Sequence, residues 1–386
     1  MDTVFNIKGK LYFSLIFSLS ILVSEHLWAF VIQEKSPDCK TFSKVIKKEY
    51  ETAPDGLLNL NNRFGEIRVE TWDIPRVKLE ISILVDANSE AEAQKTFDQI
   101  KVTFINSRSY TSAETAIVTN SNDWWRWSDE KQDDYAIHIK AWVPEKLRLR
   151  LKNKHGAVHL QDLYGNLDLD LRHGDFYAEN LLAEAKIVIE DGYASIEKAE
   201  KLEAELKEAE LELIHANYAN ITSRNSTITI ANANQLVTNS RYDTYIIDEV
   251  YKLSNKGRYD NFQVVKASHV NFDSRFTELH LSHALKSVAI NADSSMVFIE
   301  SVGKSFSSID LQGNFTTFDI NLENGCQYQI DANANFAGIR YPRSLKITQE
   351  NEAGNSHSIK GYVGPPNTGR VIKAKLVYGT LRVDHN

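Results

Sequence analysis

Four arginines recur along the chain at intervals of 17 residues: Arg224, Arg241, Arg258 and Arg275. A guanidinium is permanently charged, and its planar fork of donors matches carboxylate and phosphate oxygens. A row of four on one edge of a regular array would suit a linear polyanion, such as an acidic polysaccharide or a teichoic-like polymer. The next position supplies Tyr242, Tyr259 and Phe276, candidate stacking faces for sugar rings beside the row. The same positions also read as solvated turn residues, with Asp243, Asp260 and Glu208 nearby to relieve repulsion between guanidinium groups. The aromatics would then stack on their own equivalents.

A second candidate is the run Asp123-Trp124-Trp125-Arg126-Trp127, in a polar stretch over residues 120–134. On a loop, Trp124, Trp125 and Trp127 would dock carbohydrate, lipid headgroups or a partner protein. Folded back, the same indoles would cap an array whose open end exposes core and unpaired strand edge. Other chemistry is thinly represented. His280 and His283 fall on opposite sides of a strand, and no metal site is predicted because ligands must converge. Cys39 and Cys326 either pair in an oxidising compartment or stay separate, with Cys326 packed as a small hydrophobe. No nucleophile motif, phosphate loop or dinucleotide fingerprint occurs, and no cofactor is expected. Asp168 with Asp170, and Glu190 with Asp191, are the acid pairs a glycan-cleaving enzyme would use, but a solvated strand face shows the same pattern.

The elements that must position these residues are periodic. Small or polar turn residues stand at Gly156, Gly174, Gly192, Ala209, Ser226, Asp243, Asp260, Thr277, Ser295 and Gly313, spaced by 17 or 18. Two residues after each comes an apolar or aromatic side chain: Val158, Phe176, Ala194, Leu211, Ile228, Tyr245, Phe262, Leu279, Val297 and Phe315. A second apolar column lies seven residues before the turn, from Leu167 and Ala185 to Val288 and Phe306. Within a unit the alternation has period two, as in Leu167-Asp168-Leu169-Asp170-Leu171, so the segments are strands. Units this short bury their apolar face only against their neighbours. The fold class predicted is all-β, a single-stranded parallel β-solenoid (β-helix) of 17–18 residues per coil, extending roughly 45 Å over ten coils.

Residues 198–213 are rich in helix formers. Leu202, Ala204, Leu206, Leu211 and Leu213 nevertheless keep the period-two pattern and the repeat columns, so a strand is expected there too. Before the repeats, residues 42–147 form a strand-rich region with candidate strands at 57–60, 67–71, 77–85, 102–105 and 136–143. Its one helix, residues 89–100, opens on the capping-box pair Ser89 and Glu92 and places Ala91, Ala93, Phe97 and Ile100 on one face. Repeats are expected over 148–345, with C-terminal strands and a cap over 346–386.

The chain opens with Lys8 and Lys10, an apolar run over residues 11–23 and then Ser24 to Ala29, the layout of a secretory signal peptide over residues 1–29 with cleavage after Ala29. That run is short against the ~20 residues a membrane span requires, and no later segment could span. Of 386 residues, 42% are hydrophobic and 25% charged, which suits a folded chain. The net charge of -8 argues against a nucleic-acid binder, which needs a basic excess.

Two distant segments look alike: Phe64-Gly65-Glu66-Ile67-Arg68-Val69 and Tyr378-Gly379-Thr380-Leu381-Arg382-Val383, with Tyr164-Gly165-Asn166-Leu167 as an echo. With Asn61-Asn62 before the first, Trp72 after it and the helix following, the chain resembles the putative-adhesin β-strand-repeat family of unknown function found in bacterial envelopes. The resemblance implies export, a β-solenoid body and an envelope or surface role, and carries no catalytic residues. The function expected is a non-catalytic exported scaffold, adhesin-like, binding an acidic glycan or an envelope protein. The alternatives are a polysaccharide-active β-helix enzyme and a periplasmic sensor or assembly partner.

Overall fold

The structure is a computed structural model that describes residues 39–118 and 135–385. The signal-peptide reading of residues 1–29 and the Trp124, Trp125 and Trp127 run lie outside these residues. The described chain is nearly all-β, with one short helix, and its strands join in one 21-stranded, mostly parallel sheet. No described helix is long and apolar enough to cross a membrane.

The chain enters through β1 (Lys40–Glu51), β2 (Leu57–Arg63), β3 (Ile67–Trp72) and β4 (Arg76–Ala87), then helix α1 (Glu90–Gln99), β5 (Ile100–Ser107), β6 (Tyr110–Ile117) and β7 (Tyr135–Pro144). The helix starts where its capping box predicts: Ser89 Oγ accepts from the Glu92 amide at 3.3 Å, and Glu92 Oε2 accepts from the Asn88 amide at 3.1 Å. Ala93, Phe97 and Ile100 are buried as expected, but Ala91 is exposed, because a position two residues before Ala93 lies about 200° round the helix from the buried face. Strands β1, β4 and β7 pair antiparallel, as do β5 and β6.

From β8 (Arg148–Lys154), β9 (Val158–Leu160), β10 (Leu167–Arg172) and β11 (Phe176–Arg224) onward the pairing is parallel and advances by one repeat each time. Leu167 faces Leu149 on one side and Ala185 on the other. The same rule carries through β12 (Thr227–Arg241), β13 (Thr244–Arg258), β14 (Asn261–Arg275), β15 (Glu278–Asp293) and β16 (Met296–Val302). Residues 198–213 lie inside β11 as strand, so the inward Leu202, Leu206, Leu211 and Leu213 outweigh local helix propensity. Burial alternates as the period demands: Phe262 is fully buried and Gln263 exposed.

The C-terminal strands are β17 (Ser308–Leu322), β18 (Tyr328–Arg340), β19 (Lys346–Ala353), β20 (Ser356–Val363) and β21 (Val371–His385). Here the sequence columns need correction. Val297 pairs with Phe318, Val288 with Ile309 and Asp293 with Asn314, so the turn position after Ser295 is Thr316, not Gly313. Phe318 is fully buried in the inward column, whereas Phe315 is 59% exposed. Additional residues between β16 and β17, in the segment containing Gly303 and Lys304, lengthen that unit and shift the register of everything after it.

Two pairings join segments far apart in sequence. Residues 57–72 stack on the first repeats, with Leu58 against Leu149 and Ile67 against Val158. At the other end β21 inserts between β17 and β18, parallel to both, while β20 pairs antiparallel with β18 and β19. Phe64-Gly65 and Tyr378-Gly379 both occupy corners with positive φ, whereas Tyr164 does not. The echo at Tyr164-Gly165 is therefore not the same structural position.

Candidate functional site

The corner between the two strand segments of each unit is held by one residue in the left-handed region. Among the described residues thirteen non-glycine residues have positive φ, and all sit at this one corner: Phe64, His155, His173, Asp191, Glu208, Asn225, Tyr242, Tyr259, Phe276, Ser294, Phe315, Phe336 and Tyr378. For a bulky side chain this conformation costs on the order of 1–3 kcal/mol. Part of that is offset where the corner N–H reaches the neighbouring unit: Tyr242 N donates to Arg258 O at 3.2 Å, and Tyr259 N to Arg275 O at 3.0 Å. The rings offset more by stacking. Tyr242–Tyr259 and Tyr259–Phe276 centroids are both 4.8 Å apart, 13° and 3° from parallel. A second stack runs Phe315–Tyr378–Phe336 at 4.7 and 5.2 Å, and a third Phe64–His155–His173 at 4.9 Å. Tyr242, Tyr259 and Phe276 are 46%, 42% and 50% exposed, so this stack is an accessible ridge.

Beside the ridge, Arg224, Arg241, Arg258 and Arg275 are in register, each paired in the ladder with the next. Their side chains point outward, and the Arg241 guanidinium lies 5.0 Å from the Tyr242 ring centroid. An open groove of about 450 Å³ runs past Arg241, Arg258 and Arg275, with Lys256 and Asp273 in its lining. Among the described residues no carboxylate forms an ion pair with any of the four arginines. The same column earlier in the chain behaves differently. Arg172 lies 3.7 Å from Glu190, and Lys207 contacts Glu190 directly.

Asp243 and Asp260 do not serve as counter-charges to these arginines, contrary to the turn-residue reading above. Both are buried, at 3% and 5% exposure, and face inward. Asp243 accepts from the Ser226 and Arg241 amides and from Ser223 Oγ, each at 2.8 Å. Asp260 accepts from the Asp243 amide at 3.0 Å and from Ser240 Oγ at 2.9 Å. Desolvation by burial raises both carboxyls above their ordinary value, opposed by those donors, and Asp260 is pushed up to about 6. They are struts of the corner, and the charge of the arginine row is left to the solvent side.

The remaining candidates are dispersed. Cys39 and Cys326 are both free; Cys326 is buried with Sγ 3.7 Å from the Val302 carbonyl, and burial raises its thiol pKa. His280 pairs with Glu300 at 2.7 Å. Sequence reasoning missed one cluster: His357 lies 3.0 Å from Glu350 and 3.7 Å from Glu352 across the β19–β20 hairpin. Only the antiparallel register brings the three together.

No family model matches the sequence, and no curated protein does either. Solved structures do match. A putative adhesin of Parabacteroides distasonis covers 89% of this chain and 97% of its own, at 11% identity and a TM-score of 0.30. A putative cell adhesion protein of Clostridium sporogenes covers 89% and 100%, at 8% identity and a TM-score of 0.18. A putative adhesin of Bacteroides fragilis covers 89% and 97%, at 10% identity and a TM-score of 0.21. These matches fall in the class of protein that the sequence resemblance named. At such TM-scores they carry no argument about what the chain binds, which rests on its own residues.

Proposed function

We propose that the chain is a non-catalytic β-solenoid scaffold of a bacterial envelope or cell surface, whose arginine row and aromatic ridge bind a linear acidic polysaccharide. The solenoid reading is supported by parallel pairing that advances one repeat at a time and by a single left-handed corner repeated in every unit. Export is supported by the charged and apolar layout of the first 29 residues. A scaffold role accords with units of 17–18 residues from Gly156 to Ser295, which leave little chain there to wall a cleft.

The observation that carries the ligand class is the unneutralised arginine row. Neighbouring guanidinium groups one strand spacing apart repel by roughly 1 kcal/mol even in water, and the column carries an acid at Glu190 and again at Asp293 but none from Arg224 to Arg275. A polyanion laid along the row would relieve that repulsion, while its rings rest on Tyr242, Tyr259 and Phe276.

The test is binding of polygalacturonate to the wild-type protein and to the quadruple variant Arg224→Gln, Arg241→Gln, Arg258→Gln and Arg275→Gln. Wild type is expected to bind at low ionic strength and to weaken as salt is added, and the variant to lose binding without losing melting temperature. Binding unchanged in the variant, or absent from wild type at low salt, overturns the reading. Release of new reducing ends during the incubation overturns the non-catalytic part.

A further inference from the structure

The aromatic ridge has one missing ring. Phe276 has one face covered by Tyr259, and Phe315 has one face covered by Tyr378. Their other faces look toward each other across Ser294, the corner residue of the intervening unit. The ladder connections fix the gap: Phe276 N donates to Asp293 O at 2.9 Å, and Ser294 N to Asn314 O at 2.8 Å. The two rings are therefore two strand spacings apart, about 9.6 Å. The gap opens on a groove of about 730 Å³ that also includes Glu278, Met296 and Thr317.

We propose that this slot holds one pyranose ring of the acidic polysaccharide, sandwiched between Phe276 and Phe315 in place of the absent side chain. The proposal rests on the ligand class inferred above and adds the subsite where the polymer is gripped. A ring at the level of Ser294 would stand ~4.8 Å from each wall, the separation the ridge's own rings adopt, at 4.8 and 4.7 Å. A puckered pyranose is thicker than a planar ring and presents C–H groups on both faces, so it meets both aromatic walls without tilting. Phe276 is 50% and Phe315 59% exposed, leaving the slot open to a chain entering from solvent.

Charge sets the class of sugar. The arginine row ends at Arg275, which is paired in the ladder with Asp293 beside the slot. Asp293 accepts from Ser294 Oγ at 3.0 Å and from Asn314 Nδ2 at 3.3 Å, both through Oδ1, so its negative charge stays beside the slot. Arg275 makes no ion pair among the described residues and lines the neighbouring groove, one unit back from Ser294, so a carboxylate on the inserted ring would turn toward Arg275 and away from Asp293 and Glu278. Hydroxyls on the opposite side meet Glu278 and Thr317. A uronic acid fits when its carboxylate points back along the arginine row and its hydroxyls face the acids.

The test uses tri-galacturonate as the probe, with calorimetric titration and saturation transfer from the aromatic protons to the sugar ring. Ser294→Phe fills the slot with a residue type the same left-handed corner already accepts at Phe276 and Phe315, and it leaves the arginines in place. It is expected to weaken binding at least tenfold and to abolish the transfer, with a melting temperature equal to or above wild type. Phe315→Ser removes one wall of the slot and is expected to cause the same loss, which keeps the test valid if the first variant folds poorly. Wild-type affinity in both variants overturns the slot, and if the quadruple arginine variant still loses binding, the polysaccharide reading survives. Binding lost in the slot variants but kept in the arginine variant supports the slot for the ring and overturns the arginine row. Transfer to phenol but none to the sugar overturns the proposal by making the occupant an aromatic side chain.

Discussion

Asp260 is where the corner is most sensitive to pH. Its carboxyl is raised from 3.8 to about 6, first by burial and also by the neighbouring Asp243 charge, against hydrogen bonds donated by Asp243 N and Ser240 Oγ. A carboxyl with a folded pKa above its unfolded value holds its proton more tightly when folded. Its ionisation therefore costs stability above pH 6, and that cost disappears as pH falls from about 6 toward 4. His159 works in the opposite sense over part of the same window, because burial holds its ring below 6.5. The informative quantity is thus the difference between wild type and Asp260→Asn. Denaturant unfolding should show this difference moving in favour of wild type by roughly 1–3 kcal/mol between pH 7 and pH 4.5. A pH-independent difference would mean that Asp260 titrates alike in the folded and unfolded states.

Corners solve one problem in two ways along the stack. In the early units glycines let the backbones meet: a Cβ on Gly174 would stand 2.3 Å from the Gly156 carbonyl oxygen, and one on Gly192 2.0 Å from that of Gly174. Later units place a polar side chain at the same position and let it accept the preceding unit's N–H, as Ser226 does for Ala209, Asp243 for Ser226, and Ser295 for Thr277. Gly174→Ala should therefore destabilise by about 1–3 kcal/mol or more, since the clash is with backbone. Gly338→Ala, with open space around it, should change stability by no more than about 0.5 kcal/mol. Equal melting shifts in the two variants would show that the early corners do not stack as described. The turn-column residues were visible in the sequence as small or polar. Their two mechanisms were not, because a hydrogen bond between units depends on atoms 17 or 18 residues apart.

At the scale of the whole molecule, β1, β5 and β19 are edge strands, each paired on one side only among the described residues. The N-terminal edge strand β1 carries Lys40, Lys44, Lys47 and Lys48, and β19 at the other end carries Lys346, Glu350 and Glu352. Charged edges of this kind discourage pairing with another chain. In the proposed solenoid, stability is a sum of units and nearest-neighbour contacts. Native-state hydrogen exchange should then be slowest in β12–β14 and faster by about two orders of magnitude in β1 and β19. Protection uniform from end to end would indicate one cooperative body instead.

By itself the sequence determined what alternation and period can encode: which side chains turn inward, where the corners fall from Gly156 to Ser295, and that residues 198–213 are strand despite their composition. It also marked the arginine row and the aromatic column beside it, because both recur at the repeat length. Only the tertiary structure decided which units touch. Residues 57–72 join the stack after an excursion of some 75 residues, and β21 slips between β17 and β18. The lengthened unit after β16 moved the next corner to Thr316 and put Phe315 on the ridge instead of in the core. The physical reason is that strand pairing is made by backbone groups common to every residue, so its partners are chosen by register and space, and an insertion hides them from any period counted along the chain.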